Sequence, residues 1–343
     1  MQEALEFDRS IVVAQILADS GASCKNVGLF SGNIPLDIHD HQVNVEWKWN
    51  GIAEYNGKLF CAPCNASSVL VIDGETEEVR TIECNSNGNA GWVGIARYGT
   101  KLYCAPHNAW SVLVIDGDTE QIRTIPCNIK GNSKWAGIAL FGTKLFCPPC
   151  NASSVLVIDA ETEELRIIPC DVKGTGKWHG IALYGTKLFC APCNASSVLV
   201  IDGELENLRT IPCCGITGGS KWAGIACYEN NLYCAPSNAS SVLVIDGNTE
   251  KTHTIPCGID GSEKWYGIAR FDFKLICAPC NASFILIIDG ETGEVSTQRC
   301  VNDKKQPNWS GITRCETKLF CSPAKSDNIL VLQDQALQLT LDS

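Results

Sequence analysis

The residues best equipped for chemistry in this chain are its 21 cysteines. Four pairs have the Cys-x-x-Cys spacing: Cys61/Cys64, Cys147/Cys150, Cys190/Cys193 and Cys277/Cys280. Two such pairs meeting in space would hold a tetrahedral zinc ion, and in an oxidising compartment they would form disulfides. At the matching points elsewhere the second place is taken by His107, Ser237 and Ala324, and a further cysteine recurs at Cys84, Cys127, Cys170, Cys213, Cys257 and Cys300. The first cysteine of each pair lies in an apolar run, where a thiol packs as a small hydrophobe. Copied structural positions are therefore expected, with free thiols, no metal and no other cofactor. The pair in His39-Asp40-His41 is too isolated to argue for a metal site.

A second group is aromatic and basic. Trp92, Trp135, Trp178, Trp222 and Trp265 recur with Lys134, Lys177, Lys221 and Lys264 directly before the last four. Tryptophan beside lysine suits stacking on a sugar or meeting an anionic partner; the alternative is a structural wedge. A third group lies where copied segments differ. The residue after each tryptophan runs Asn50, Val93, Ala136, His179, Ala223, Tyr266, Ser310, and four places later the series is Glu54, Arg97, Leu140, Leu183, Cys227, Arg270, Arg314. His179, Tyr266, Arg97, Arg270 and Arg314 are the candidate mouth or channel residues, and the candidates for catalytic work if there is any.

The elements that must position these residues follow from the repeat. Trp-x-Gly-Ile-Ala/Thr begins at Trp49, Trp92, Trp135, Trp178, Trp222, Trp265 and Trp309, at intervals of 43 or 44 residues. Each copy reads as four strands between Gly, Asn, Asp and Ser turns, as in Gly180–Tyr184, Lys187–Pro192, Ser197–Asp202 and Asn207–Pro212. The third is apolar at consecutive positions, Val-Leu-Val-Ile, which fits a sheet dry on both faces. The expected fold is all-β: a seven-bladed β-propeller of four-stranded antiparallel blades over 34–343, with a short N-terminal extension, 1–33. The extension includes a helix candidate over Ala4–Asp19 and could cap the ring or an outer edge. The ring could close through a strand at Ala336–Leu341, or through Ile34–Ile38 acting as the outer strand of the seventh blade.

The unit Gly-Ile-Ala…Lys-Leu-Phe-Cys-Ala-Pro-x-Asn-Ala-Ser-Ser-Val-Leu-Val-Ile-Asp-x-Glu-Thr, from residue 49 onward, resembles the YVTN-type β-propeller repeat. It departs from that pattern in Cys-Ala-Pro, where the family has Val-Thr-Asn. The resemblance implies the fold; functions among such propellers include binding and surface proteins, with lactonases and lyases as relatives. It brings no catalytic motif to any residue here.

Net charge is −11, from 38 acidic and 27 basic residues, which argues against nucleic acid as a partner. No apolar run approaches a membrane span, and no basic segment precedes an apolar one near Met1, so a cytoplasmic location is expected. Asn-x-Ser occurs at Asn65, Asn151, Asn194, Asn238, Asn281 and Asn308, which leaves secretion open, although most copies are one repeated turn. The repeated Asp of Asp-x-x-Thr lacks calcium-loop spacing and reads as a turn cap. The Lys-Trp units and Asn turns are expected on one face and the repeated Glu residues on the other. The expected function is a non-catalytic binding or scaffold propeller presenting a Lys/Trp/Asn-rich face to a protein or carbohydrate. The alternative is a lactonase-like or lyase-like enzyme with one pocket at the channel mouth.

Overall fold

A computed structural model describes residues 29–36, 46–84, 89–300 and 308–334. The helix candidate over Ala4–Asp19, the strand at Ala336–Leu341 and His39-Asp40-His41 lie outside these residues. The strands are numbered β1–β28 in chain order, and they form seven four-stranded antiparallel sheets. The first blade is typical: β2 (Trp49–Tyr55), β3 (Lys58–Pro63), β4 (Ser68–Asp73) and β5 (Val79–Glu83) pair in sequence order. Among the described residues there is no helix, and so none long and apolar enough to cross a membrane.

The ring closes through its N-terminal side. The seventh sheet has the order β1-β28-β27-β26, in which β1 (Leu29–Pro35) pairs antiparallel with β28 (Asn328–Asp334). The outer-strand alternative is therefore the one observed, but it starts earlier than expected. Leu29 pairs with Asp334 and Pro35 with Asn328, so a boundary between 33 and 34 would cut through a strand. Leu29 is 2% exposed and packs in the core between the sixth and seventh blades, a contact that the Ile34–Ile38 assignment left out.

The core lies between the blades. Val69, Leu70, Val71 and Ile72 of β4 are at most 1% exposed, because one face packs on the preceding sheet and the other on the following one. Trp222 shows the role of the repeated tryptophan. It packs with Phe189, Ala191, Val198 and Val200 of the fourth blade and with Leu232, Cys234 and Leu243 of its own. Its indole N–H donates to the Ser241 carbonyl at 2.8 Å, a bond every blade repeats 19 residues on from its tryptophan.

Polar ties join the rims. In four junctions one glutamate receives a lysine and an arginine from the preceding blade: Glu120 with Lys58 and Arg80, Glu163 with Lys101 and Arg123, Glu206 with Lys144 and Arg166, Glu250 with Lys187 and Arg209. These glutamates sit at φ of 59–62°, a left-handed conformation that disfavours a side chain by about 1 kcal/mol; the ion pairs offset that cost. Where the preceding blade has Asn231 and His253 instead, the place of the glutamate is taken by Gly293, at φ 73°. These four glutamates are thus neutralised by the preceding blade rather than free for a partner.

Candidate functional site

The seven inner strands line the central channel, and a glycine lets them meet there. A Cβ on Gly180 would lie 2.6 Å from the Ala223 carbonyl oxygen, and one on Gly224 2.7 Å from that of Tyr266. The contact repeats around the ring to Gly311, which faces the Asn50 carbonyl across the closure. Each time the partner belongs to the residue after the next blade's tryptophan, so Trp-x-Gly records the contact between neighbours. In six blades the pairing of the first two strands shifts register here: Trp178 opposes Pro192 while Ile181 opposes Cys190 in the fourth. Such a bulge re-aims the side chain inside it, and the re-aimed residue is the variable one.

At this mouth, on the face of the long interstrand loops, the small side chains of Val93, Ala136, Ala223 and Ser310 leave room for two large ones. The Tyr266 hydroxyl and His179 Nε2 lie 2.6 Å apart, with the rings edge-on at 4.7 Å between centroids. Trp47 packs against Tyr266 at 5.3 Å, and the Lys325 ammonium lies 5.7 Å from the Trp47 ring centre. Cys64 and Cys150 join Val93 and Ala136 in a cluster beside Trp47. The thiols of Cys193, Cys280, Cys64 and Cys150 surround Tyr266 closely enough to disfavour its phenolate, although burial is the larger cause of its raised pKa. Burial also pushes the thiols up, to about 12 at Cys64 and Cys280 and about 11 at Cys150. They are protonated at neutral pH, poor nucleophiles and poor metal ligands. Every described cysteine is a free thiol, and among the described residues no three His, Cys, Asp or Glu side chains gather as a metal site.

Two buried histidines lie close enough for the charge of one to oppose that of the other. Burial holds His179 down to about 4, with His107 adding to the shift, and burial holds His107 down to about 4 as well, with Lys134 adding. His107 Nδ1 is buried and has no hydrogen-bond partner among the described residues. In the unfolded chain both imidazoles titrate near 6.5. Between about pH 4 and 6.5 the unfolded chain binds more protons, so this stability is complete above the window and lost as pH falls through it. The loss approaches ~3 kcal/mol per imidazole. Urea midpoints measured across that window should fall with pH, and the slope should flatten when His179→Gln and His107→Gln are combined.

The other candidates lie elsewhere. Arg97, Arg270 and Arg314 sit four residues further along their inner strands, about 13 Å at 3.3 Å per residue, on the hairpin-turn face. Of the five mouth or channel candidates, His179 and Tyr266 therefore share one mouth and the three arginines stand toward the other. Each arginine has local partners: Arg97 lies 3.9 Å from Glu54, Arg314 bonds Asp272 at 2.8 Å, and Arg270 Nε donates to the Asp272 carbonyl.

The expected Lys-Trp contact surface is likewise corrected by burial. Trp92 is 5% exposed, and Trp135, Trp178, Trp222 and Trp265 are fully buried. Lys134, Lys177, Lys221 and Lys264 are at most 2% exposed. The Lys177 ammonium donates to the carbonyls of Cys150, Ala152 and Gly174, two from the preceding blade and one from its own loop; the other three repeat this set. The repeated asparagines are also tied down: Asn151 Nδ2 donates to the Asn132 carbonyl while its Oδ1 accepts from Gly176 N–H in the next blade's entry loop. The Asp turn reading holds, since Asp159 Oδ1 accepts from the backbone of Glu161 and Thr162. Sequence reasoning passed over Trp47, which stands two residues before its blade's tryptophan, where other blades carry Ala90, Ser133, Gly176, Ser220 and Glu263 at the same positive φ. It also passed over Trp110, 69% exposed on a turn where five of the other copies carry serine.

No family model matches this chain, and no curated protein matches it. Solved structures do. Virginiamycin B lyase from Staphylococcus aureus superposes with a TM-score of 0.76 at 12% identity, covering 89% of this chain and 99% of that one. A streptogramin B lyase gives 0.75 at 12% identity, covering 90% and 98%. BamB from Moraxella catarrhalis gives 0.60 at 13%, covering 89% and 100%. At such identities the likeness establishes the fold: this chain is a seven-bladed β-propeller.

Proposed function

We propose that the chain is a non-catalytic binding or scaffold propeller, of the YVTN-type repeat, that receives one protein or carbohydrate partner on its axis. The observation that carries this reading is the contrast between repeated and variable positions. The repeated Lys, Trp, Asn and Glu side chains are engaged in joining neighbouring blades, so a seven-fold array of equivalent contacts lacks the residues to make it. The variable residues stand around the two mouths of the channel, where one copy of a partner sees an asymmetric rim. The free thiols support a reducing, cytoplasmic setting.

A lyase-like or lactonase-like activity is the second reading, and the His179–Tyr266 pair favours it, being the one close meeting of two titratable candidates. A neutral imidazole can act as a base, but here its Nε2 is engaged by the Tyr266 hydroxyl. The test is affinity capture with the full chain followed by native mass measurement. One partner per ring is the expected result. Several equivalents per ring would restore the repeat-binder, and turnover of a lactone or cyclic-ester panel that vanishes in His179→Ala would establish the enzyme.

A further inference from the structure

Lys134, Lys177, Lys221 and Lys264 show what one recurring cradle in this protein holds: the ammonium of a primary amine. At Lys177 the cradle is the carbonyls of Cys150 at 3.1 Å, Ala152 at 2.8 Å and Gly174 at 3.3 Å. Each of the three ammonium hydrogens thus has an acceptor. The charge also stands near its own blade's indole, 5.9 Å from the ring centre at Lys221 and 5.8 Å at Lys264, within reach of a cation–π attraction.

The second blade keeps the frame and lacks the lysine, for Gly91 stands in its place. The Gly91 N–H donates to the Cys64 carbonyl at 2.8 Å, as that of Lys177 does to Cys150 at 3.0 Å. The Gly91 carbonyl accepts from His107 and Ala109 at 3.0 and 3.1 Å, as that of Lys177 does from Cys193 and Ala195 at 2.9 and 3.2 Å. Asn65 Oδ1 takes the Ala90 N–H at 2.7 Å, the length of the Asn151 bond to Gly176. With these bonds alike, the Cys64 and Ala66 carbonyls hold the places that Cys150 and Ala152 hold around Lys177. The counterpart of Gly174, Gly88, lies outside the described residues. Among the described residues nothing donates to the Ala66 carbonyl, although Ala66 is only 6% exposed; a buried acceptor in that state favours a ligand that donates to it. Exposure of the indoles follows the lysine. The five tryptophans preceded by lysine are at most 1% exposed, whereas Trp92 after Gly91 is 5% and Trp309 after Asn308 is 3%. In the seventh blade the Asn308 side chain enters the place, with Nδ2 3.4 Å from Asn281 Oδ1 and Oδ1 3.5 Å from Cys280 Sγ. In the second, Gly91 supplies no side chain.

We propose that this cradle binds one free primary alkylamine per ring, as its ammonium ion, with the Cys64 and Ala66 carbonyls accepting its hydrogens and Trp92 beside its charge. The chemistry selects the ligand. A metal ion lacks the apolar stem that lies along the indole, a quaternary ammonium lacks N–H donors, and an alcohol lacks the charge. n-Butylammonium is the lysine side chain cut at Cα, so it duplicates the group that the sister blades carry. Cys64, Ala66 and Gly91 are all buried, which favours a slender free amine over a lysine borne by another chain. The site is independent of the binding reading above, since it takes a small molecule and makes no use of the axis.

The test is calorimetric titration of the full chain with n-butylammonium chloride, together with urea midpoints at matched ionic strength. One equivalent per ring should bind saturably and raise the midpoint, and tetramethylammonium chloride and n-butanol should do neither. A lysine blocked at its α-amine and carboxyl should bind at least tenfold more weakly. Gly91 is not in the left-handed region, so a side chain fits its backbone. Gly91→Lys should abolish the binding and raise the midpoint above that of Gly91→Ala, which carries the backbone effect alone. Lys177→Gly should lower the midpoint, gain a second equivalent and recover in n-butylammonium; if it fails to fold, Gly91→Lys decides. Absence of saturable binding, an equal response to n-butanol or tetramethylammonium, or binding retained in Gly91→Lys would overturn the proposal. So would a midpoint for Gly91→Lys below that of Gly91→Ala, which would show the lysine's place already filled. Equal binding of the blocked lysine would give the cradle to another chain's lysine and overturn the free amine.

Discussion

Gly180→Ala is expected to destabilise the protein by at least ~3 kcal/mol, although it adds one methyl group. The added Cβ would lie 2.6 Å from the Ala223 carbonyl oxygen, 3.0 Å from Gly224 Cα and 3.0 Å from Ile225 N. All three are backbone atoms of the next inner strand, so no side chain can swing aside; the strand itself must move. That strand makes the same contact with Tyr266, so relief at one junction crowds the next around a closed ring. Overpacking ordinarily costs about 1–3 kcal/mol, and a rigid backbone neighbour puts this case at or above the upper end. Gly185→Asn is the control. Gly185 has φ 59° with no neighbour near its missing Cβ, and Asn56 occupies the equivalent place at φ 50°. Urea denaturation should give a near-neutral control and a large shift for Gly180→Ala; equal, small shifts would show that the inner strands are not in contact.

The second large effect is expected at Trp178. Truncation to alanine removes a fully buried indole from between Phe146, Val155 and Val157 of the third blade and Leu188, Cys190 and Leu199 of the fourth. It also leaves the Ser197 carbonyl without its 2.8 Å donor. Cavity formation costs about 3–5 kcal/mol and the unsatisfied carbonyl ~1–2 more. Trp178→Phe should cost roughly 1–2 kcal/mol, since it keeps most of the ring and loses the N–H. A collapsed midpoint for the alanine variant, with an intermediate one for phenylalanine, identifies a wedge. An alanine variant of unchanged stability that no longer binds a sugar would instead put the indole on a contact surface.

Much of the architecture was legible because the chain repeats its own experiment. Seven Trp-x-Gly units fixed the blade count, and the buried Val-Leu-Val-Ile strands announced sheets dry on both sides. The glycine's purpose was not legible, since its neighbour is a carbonyl 42 or 43 residues away that only ring geometry supplies. Lys177 misled for a related reason. A lysine beside a tryptophan reads as exposed charge, and the three carbonyls that surround its ammonium come from two loops, one in another blade. For the site, His179 and Tyr266 were marked as variation inside a copied unit, and the bulge turned both to the axis. Arg97, Arg270 and Arg314 were marked by the same criterion; the four-residue offset along one strand already separated them from the histidine, and that spacing carried the answer. The Lys-Glu-Arg ties were legible in principle, because Gly293 replaces glutamate where Asn231 and His253 replace lysine and arginine.

The closing strand β1 sets a timetable for biosynthesis. It leaves the ribosome before the other strands described, yet its ladder partner among them, β28, is translated about 300 residues later. At roughly 5–20 residues per second that interval is about 15–60 seconds. Through it the nascent chain carries an unpaired strand at one end and, as the blades accumulate, a growing incomplete arc at the other, both open to strangers with matching edges. Holding that segment apart until β28 emerges is work suited to a chaperone, and slowing the ribosome between β1 and β28 should lower the yield of closed rings.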